Sequence, residues 1–427
     1  LQTWLLENGM TDIPRDDHLE SSLALLGEGY PFIRDRCQRL HSNVFQARLL
    51  MQNTICLSGE QAARLFYDER HFQRAQAMPR MLKKTLLGQG GVQGLDGEAH
   101  RHRKRMFLQL LDAAAVDELV GLTERSWRQA IGQWQAQGEV QLLGEVQMLL
   151  TDSVCRWAGV PLPSAERELR RDQLAQMIDG AGGIGPRHLA ARKARREAEA
   201  WTQHLIEQVR AGELQGDPTR ALMVVAHHRD LDGKPLDSRI AAVELLNLLR
   251  PTVAVAYFIT YAALELLAHP HWCERLRAED ELLEPFAQEV RRLHAFFPFT
   301  AARVREGFDW QGHHFPAGTR VMLDLWGTNR EASRWTDPEA FQPERFVDWA
   351  GDAFSFVTQG GGDPAQGHRC PGERLAIELL KLALRMLTRE MDYAVPAQDL
   401  RIDLSRMPAK PESGLLISDV RPRASSS

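Results

Sequence analysis

Paired cysteines are the first thing this sequence lacks. Cys37, Cys56, Cys155, Cys273 and Cys370 are odd in number and widely scattered, which argues against both a disulfide framework and a CxxC metal centre. At most one of them is left to carry chemistry. An excess of charge is missing too: a net charge of -5 and a pI near 6.3 leave no electrostatic footprint for nucleic acid or an anionic membrane. The longest uncharged apolar run, Pro251 to Leu264, is shorter than the ~20 residues that cross a bilayer, and the first residues show no basic-then-apolar leader pattern. These absences lead to the expectation of a cytoplasmic protein with no membrane span and no nucleic-acid partner. GxSxG, HExxH and Walker motifs do not occur, so the common hydrolase and nucleotide chemistries have no support. The run Gly88-Gln-Gly-Gly-Val-Gln-Gly94 misses the GxGxxG spacing by one residue, follows no strand, and reads as a flexible loop.

What remains is 427 residues with 44% hydrophobic and 26% charged content, ordinary globular composition. From about Pro79 to Glu289 apolar residues recur at i, i+3, i+4 with breaks at Gly and Pro, and AVDELVGLTERSWRQAIGQW and AIELLKLALRMLTREM carry the helical stripe clearly. Strand signals are few: short β-prone runs around the Pro-Ala-Gly turn of GFDWQGHHFPAGTRVMLDL, and GLLISDV near the end. GAGGIGPRHLAARKARREAEA reads as a Gly-rich loop entering a charged, solvated helix, and a Ser-rich tail closes the chain at Ala424–Ser427. The expected architecture is one mainly helical domain, residues 1–427, with small β-sheets.

Two local features carry chemistry. Cys370 follows a Gly-rich loop and directly precedes a long apolar helix, with Pro371 suited to the first helical turn. A sulfur there faces unpaired amides and the positive helix end, which favour thiolate, and a thiolate is a strongly donating axial ligand for haem iron. A buried structural cysteine is the alternative. The second feature is Arg250 beside Pro251 within an apolar run, NLLRPTVAV. An Arg on such a helix must reach water or meet an anion, since leaving it buried and unpaired costs several kcal/mol. Snorkelling to the surface is one outcome. It leaves the proline unexplained, which frees the carbonyl of Asn247 and is expected to bend the helix at a cost of ~3 kcal/mol. A cation beside a kink suggests a site.

Glu289-Val-Arg-Arg292 is an ExxR pattern on one helical face, and Phe341-Gln-Pro-Glu-Arg345-Phe346 follows it. In this order, with His368-Arg-Cys-Pro-Gly372 after them, these motifs resemble the cytochrome P450 superfamily from about Phe72 to the C-terminal helix. The resemblance implies a triangular, mostly helical fold that holds haem b between a long distal helix and the cysteine loop. Cys370 would be the axial iron ligand, and Glu289, Arg292 and Arg345 would brace the loop. His368 matches the propionate-binding histidine; His100 and Lys104, one helical turn apart, would reach the propionates too. A solvated basic helix is the alternative, and it stays open for Arg101 and Arg103.

Where most oxygen-activating members carry an acid-alcohol pair, this chain has Arg250 and Pro251. FQRAQAMP, VQGLDGEAHRHRK, LLRPTVAVAYF and GHRCPGE resemble the fatty-acid peroxygenase branch, its hydroxylases and decarboxylases. That implies hydrogen peroxide as oxidant, no reductase or ferredoxin, and a long-chain fatty acid as substrate. Arg74 would be a further propionate contact, and Asn247, Arg250 and Pro251 would form the distal site. The guanidinium fork matches a carboxylate, and a substrate carboxylate held there would do the missing acid-base work. Anchoring the acid end places Cα and Cβ nearest the iron, while about ten buried methylenes give ~8 kcal/mol before ordering costs. Gln93 matches a position where strongly decarboxylating members have His and hydroxylating members tend to have Gln, which favours 2- or 3-hydroxy acids with terminal alkene as a minor product. Leu87 stands where several relatives have Phe and would widen the tunnel. Two other readings compete: a monooxygenase fed electrons from NAD(P)H by a redox partner and acting on another carboxylic acid, and a non-catalytic haem sensor. Chain-length preference, α:β ratio, stereochemistry, alkene yield and oligomeric state are not fixed by these residues.

Overall fold

A computed structural model describes residues 12–423; the Ser-rich tail and the start of the chain, on which the leader reading rests, lie outside the described residues. Helices dominate from residue 97 onward: α1 (Gly97–Leu110), α2 (Ala113–Gln137), α3 (Leu142–Ala158), α4 (Arg167–Asp179), α5 (Gly185–Arg210), α6 (Ser238–Ala268), α7 (Leu283–Leu293) and α8 (Glu373–Arg385). Their starts follow local chemistry. Asp112 accepts the Ala115 amide ahead of α2, and Asp237 accepts the Arg239 amide at 2.9 Å ahead of α6, each satisfying a donor that a helix start leaves unpaired.

α6 is the axis of the molecule. It is apolar on nearly every face and packs against α3, α4, α5, α7 and α8, as a helix hydrophobic all round must. An 18-residue window of it has a mean hydropathy of 1.5, long and apolar enough to cross a membrane, yet 72% of that window is buried inside the protein. Helix length therefore exceeds the uncharged run seen in the sequence, because Arg250 and Glu265 are accommodated within the core. Pro251 does not interrupt α6. One amide is missing from the ladder, but burial on all sides holds the flanking turns, and the Thr252 hydroxyl donates to the Leu248 carbonyl at 2.8 Å.

The β-prone runs form β6 (Phe308–Trp310), β7 (His313–Phe315) and β8 (Arg320–Asp324), and the C-terminal run forms β10 (Leu416–Pro422). An N-terminal hairpin that the sequence reading did not identify, β1 (Val44–Leu49) with β2 (Gln52–Leu57), joins β8 in parallel, giving a five-stranded sheet of order β1-β2-β8-β5-β3. In that sheet β5 is Phe299–Val304 and β3 is Phe72–Gln73. β4 (Glu139–Gln141), β10 and β9 (Met391–Ala394) make the second sheet.

Two arginines on α7 tie the helices to the loops after them. Glu289 and Arg292 are fully buried and meet through two parallel bonds of 2.6 and 2.8 Å; Arg345 Nε reaches the same carboxylate at 3.2 Å. Arg292 also donates to the carbonyls of Asn329 and Pro338, so one ion pair fixes the path of the chain between residues 329 and 345. Neighbouring Arg291 bonds Gln359 Oε1 at 2.9 Å and Glu373 Oε1 at 2.6 Å. It reaches the cysteine loop directly. Glu289→Gln strands two guanidinium groups without their anion, and an unpaired buried charge costs about 3–5 kcal/mol. Urea unfolding should register a loss of that order; a change below ~1 kcal/mol would show that the knot carries little stability.

Candidate functional site

Cys370 closes a turn whose amide donates to the Gln359 carbonyl at 2.9 Å. α8 begins at Glu373, with Gly372 at its N-cap, so Pro371 lies in the turn before the helix and not in its first turn as expected. The sulfur is correspondingly offset from the helix end. Its pKa moves up, contrary to the sequence expectation: desolvation is the largest influence, and the Gly372 amide, Gln359 and Lys104 only oppose it. Binding to a metal would remove the thiol proton outright. Cys37, Cys56 and Cys155 are closed into apolar clusters.

Of the side chains expected around a haem's carboxylates, Arg74, His100 and His368 converge. His100 and His368 stack at 3.9 Å between ring centroids, 24° from parallel. Burial lowers them to about 3 and about 4, so both rings are neutral. His100 Nδ1 and His368 Nε2 are buried with no hydrogen-bond partner, and the nearest carboxylate oxygen to the latter, Asp96 Oδ1, is 3.8 Å away, beyond hydrogen-bonding reach. Arg74 is buried nearby, donating to Ala301 O at 2.8 Å with its guanidinium 4.3 Å from the Phe66 ring. Buried polar atoms are normally satisfied; this pair of orphaned nitrogens beside a cation fits the carboxylates of a haem. Lys104 also serves the cysteine loop. Its Nζ donates to the carbonyls of Gly367 and Arg369, so it braces the cysteine loop with two of its three hydrogens. Burial lowers it to about 8, against the opposing field of Cys370. Arg101 is partly exposed beside Glu69, but Arg103 is 2% exposed and bonded to Asp230 and Glu244, so the solvated alternative does not hold for Arg103.

On the other wall stands Arg250, 5% exposed. It donates through Nη1 to the Leu86 carbonyl and lies 3.4 Å through Nη2 from Asn247 Oδ1. It does not snorkel, and among the described residues it joins no ion pair. Desolvation, reinforced by the charge of Arg195, pushes it down to about 9; the field of Cys370 opposes this. The cation on α6 and the sulfur thus sense each other across the interior. Asn247 Nδ2 donates to Gln93 Oε1 at 3.2 Å, which brings Gln93, Asn247 and Arg250 together as expected, with Pro251 next in the helix. Leu87, half-buried, ends a π-turn over Lys83–Leu87.

Sequence reading missed two charged members. Arg195, on the helix expected to be solvated, is 2% exposed and donates to the same Leu86 carbonyl at 2.9 Å. Glu244, fully buried, sits two turns before Arg250. The loop expected to be flexible is tightly packed: a Cβ on Gly88, which has φ +80, would lie 2.1 Å from Arg195 Nη2.

The family profile named Cytochrome P450 matches residues 185–414. Cytochrome P450SP alpha, solved in complex with (R)-ibuprophen, is similar at 46% identity and a TM-score of 0.93, covering 95% of this chain and 99% of that one. Cytochrome P450EX alpha, solved with myristic acid, is similar at 40% identity and a TM-score of 0.93, covering 97% of this chain and 100% of that one. Among curated relatives, Cytochrome P450 71A8 of Mentha piperita is 29% identical over 180 residues, 37% of this chain; the chain spans 35% of that relative's length.

Because Arg195 keeps the Leu86 carbonyl satisfied, Arg250→Met removes a stranded charge without orphaning its acceptor. Unfolding by urea without fatty acid should show a gain of about 1–4 kcal/mol; a loss would mean that Arg250 is already compensated.

Proposed function

The chain belongs to the cytochrome P450 family, and on that premise we propose that it is a haem-thiolate peroxygenase that hydroxylates long-chain fatty acids near the carboxyl end with hydrogen peroxide. One observation carries the reading: Arg250 is a buried guanidinium with no carboxylate partner among the described residues, placed on the helix that faces the cysteine. A buried cation of this kind is completed by an anion that arrives with the ligand. Two similar proteins were solved with carboxylic acids bound, which agrees with an acid as the ligand.

Cys370 would hold the iron, and Arg74, His100 and His368 the carboxylates, of haem b, which when bound supplies the redox chemistry by which peroxide oxygen enters a C–H bond. The chain's own residues do the rest. Arg250 offers a planar fork that takes both oxygens of the fatty-acid carboxylate. Asn247 and Gln93 sit beside it and limit how the headgroup tilts. The held carboxylate then takes a proton from one peroxide oxygen and returns it to the other, so that water leaves; the overall balance is R–H plus hydrogen peroxide to R–OH plus water. Positioning this base within the site replaces a bimolecular encounter. With the acid end fixed, Cα and Cβ are the carbons presented, and an apolar tail passing Leu87 sets affinity. No redox partner is needed, and residues 1–427 act as one catalytic domain.

Purified haem-loaded enzyme incubated with myristate and peroxide alone should give 2- and 3-hydroxymyristate with little alkene, read by gas chromatography. Turnover that appears only with NADPH and a ferredoxin system would replace this reading with a conventional monooxygenase. Arg250→Ala should lower the peroxide-driven rate by about 10²-fold or more while the haem spectrum stays intact, whereas Cys370→Ala should lose the thiolate spectrum. Gln93→His is expected to raise the alkene share; an unchanged product mixture would remove Gln93 from the account.

A further inference from the structure

Glu244, Asn247 and Arg250 stand three residues apart on α6, so they form one stripe of the helix. Glu244 is 0% exposed. One of its oxygens accepts from Arg103 Nη1 at 2.7 Å and the other from Asn247 Nδ2 at 2.8 Å. Arg103 is clamped in turn by the Asp230 carboxylate, with Nη2 2.7 Å from Oδ1 and Nε 3.2 Å from it. The chain of contacts therefore runs from a partly exposed acid, through a buried Arg and a buried Glu, to the amide that touches Arg250.

Direction matters in this chain. An ionised carboxylate only accepts hydrogen bonds, so Glu244 forces Asn247 to turn its NH₂ toward it. That leaves Oδ1 as the Asn247 atom facing Arg250, at 3.4 Å. The second Asn247 hydrogen goes to Gln93 Oε1, so Gln93 must present its own NH₂ elsewhere. Reversing the Asn247 amide would set two acceptors against each other at Glu244 and two donors against each other at Arg250. Burial raises the Glu244 pKa overall and the donors on Asn247 and Arg103 oppose that, while both of its oxygens accept hydrogen bonds, the arrangement of a carboxylate. Arg103 holds a carboxylate where one would otherwise be expelled.

We infer that Glu244 is a positioning residue: by fixing the Asn247 amide it orients the Arg250 fork and the Gln93 amide, and so sets which carbon of the anchored fatty acid is oxidised. This rests on the function proposed above. Cα and Cβ are one bond apart, and a misplacement of about 1 Å changes reactivity by ~10²-fold, so a small rotation of the fork is enough to exchange one product for the other. Glu244 touches neither reacting atom, and its influence passes through Asn247.

The test uses haem-loaded wild type and Glu244→Gln side by side, measuring myristate affinity by calorimetry, kcat and KM with peroxide, and the ratio of 2-hydroxy to 3-hydroxy product. Loss of one charge-assisted contact in the chain should weaken binding and raise KM about tenfold, change kcat less than KM, and shift the product ratio at least about threefold. Glu244→Asp keeps the charge and the Arg103 pair but shortens the reach to Asn247. It covers the case in which Glu244→Gln does not fold, and it should shift the product ratio in the same direction. If both variants that fold keep wild-type affinity and product ratio, Glu244 is merely structural and the inference is overturned. If instead the wild type neither binds myristate nor oxidises it with peroxide, the proposed function fails first, and the inference with it.

Discussion

Arg250 keeps a full charge within an apolar helix core with a backbone carbonyl and an amide oxygen as its close partners. The surrounding elements are arranged to hold that situation. Arg195 occupies the second lone pair of the same Leu86 carbonyl and adds like charge, which withholds compensation. Pro251 removes the next amide of the ladder, and α6 tolerates the gap because it is packed on every side. The cost of a lone buried cation falls when an anion enters. Under the proposed function, the substrate carboxylate supplies that anion.

The opposite wall is braced by different means. Arg291 reaches Gln359 and Glu373 on either side of the cysteine, Lys104 takes two carbonyls of the same loop, and the Cys370 amide closes on Gln359. These contacts fix the sulfur from both flanks before any metal is considered. The Glu289 knot, one residue away on the same helix, holds the longer connection behind it. Local strength on the sulfur side and stored electrostatic demand on the Arg250 side divide the work between the two walls.

Some of this was legible because the chemistry is contiguous. His368-Arg-Cys-Pro-Gly372 and the ExxR pattern place their atoms within a few residues, and Arg250 stands out because it violates the apolar run around it. Glu244 lies just before that run and was passed over, since a single acid on a helix tells nothing about burial until its partner is known. Its partner Arg103 is 141 residues away, and a solvated position for it had been left open. Arg195 was misread for the same reason: a charged helix segment looks exposed unless the element beneath it, here the turn at Leu86, is in view. The N-terminal hairpin was missed because its parallel partner β8 lies far along the chain. The two loop carbonyls that Lys104 holds were not foreseen, because spacing on a helix gives a face and not a partner. The pKa of Cys370 moved against expectation because burial outweighs the Gly372 amide, and the helix starts two residues later than the sequence suggests.

A crystal structure of the haem-loaded enzyme with a long-chain fatty acid bears most directly on the central claim. The expected result has the carboxylate within hydrogen-bonding distance of both terminal nitrogens of Arg250 and the chain running away from it, with Cα and Cβ the carbons nearest the iron. A carboxylate seated elsewhere, or Arg250 paired to a protein anion in the complex, would contradict it.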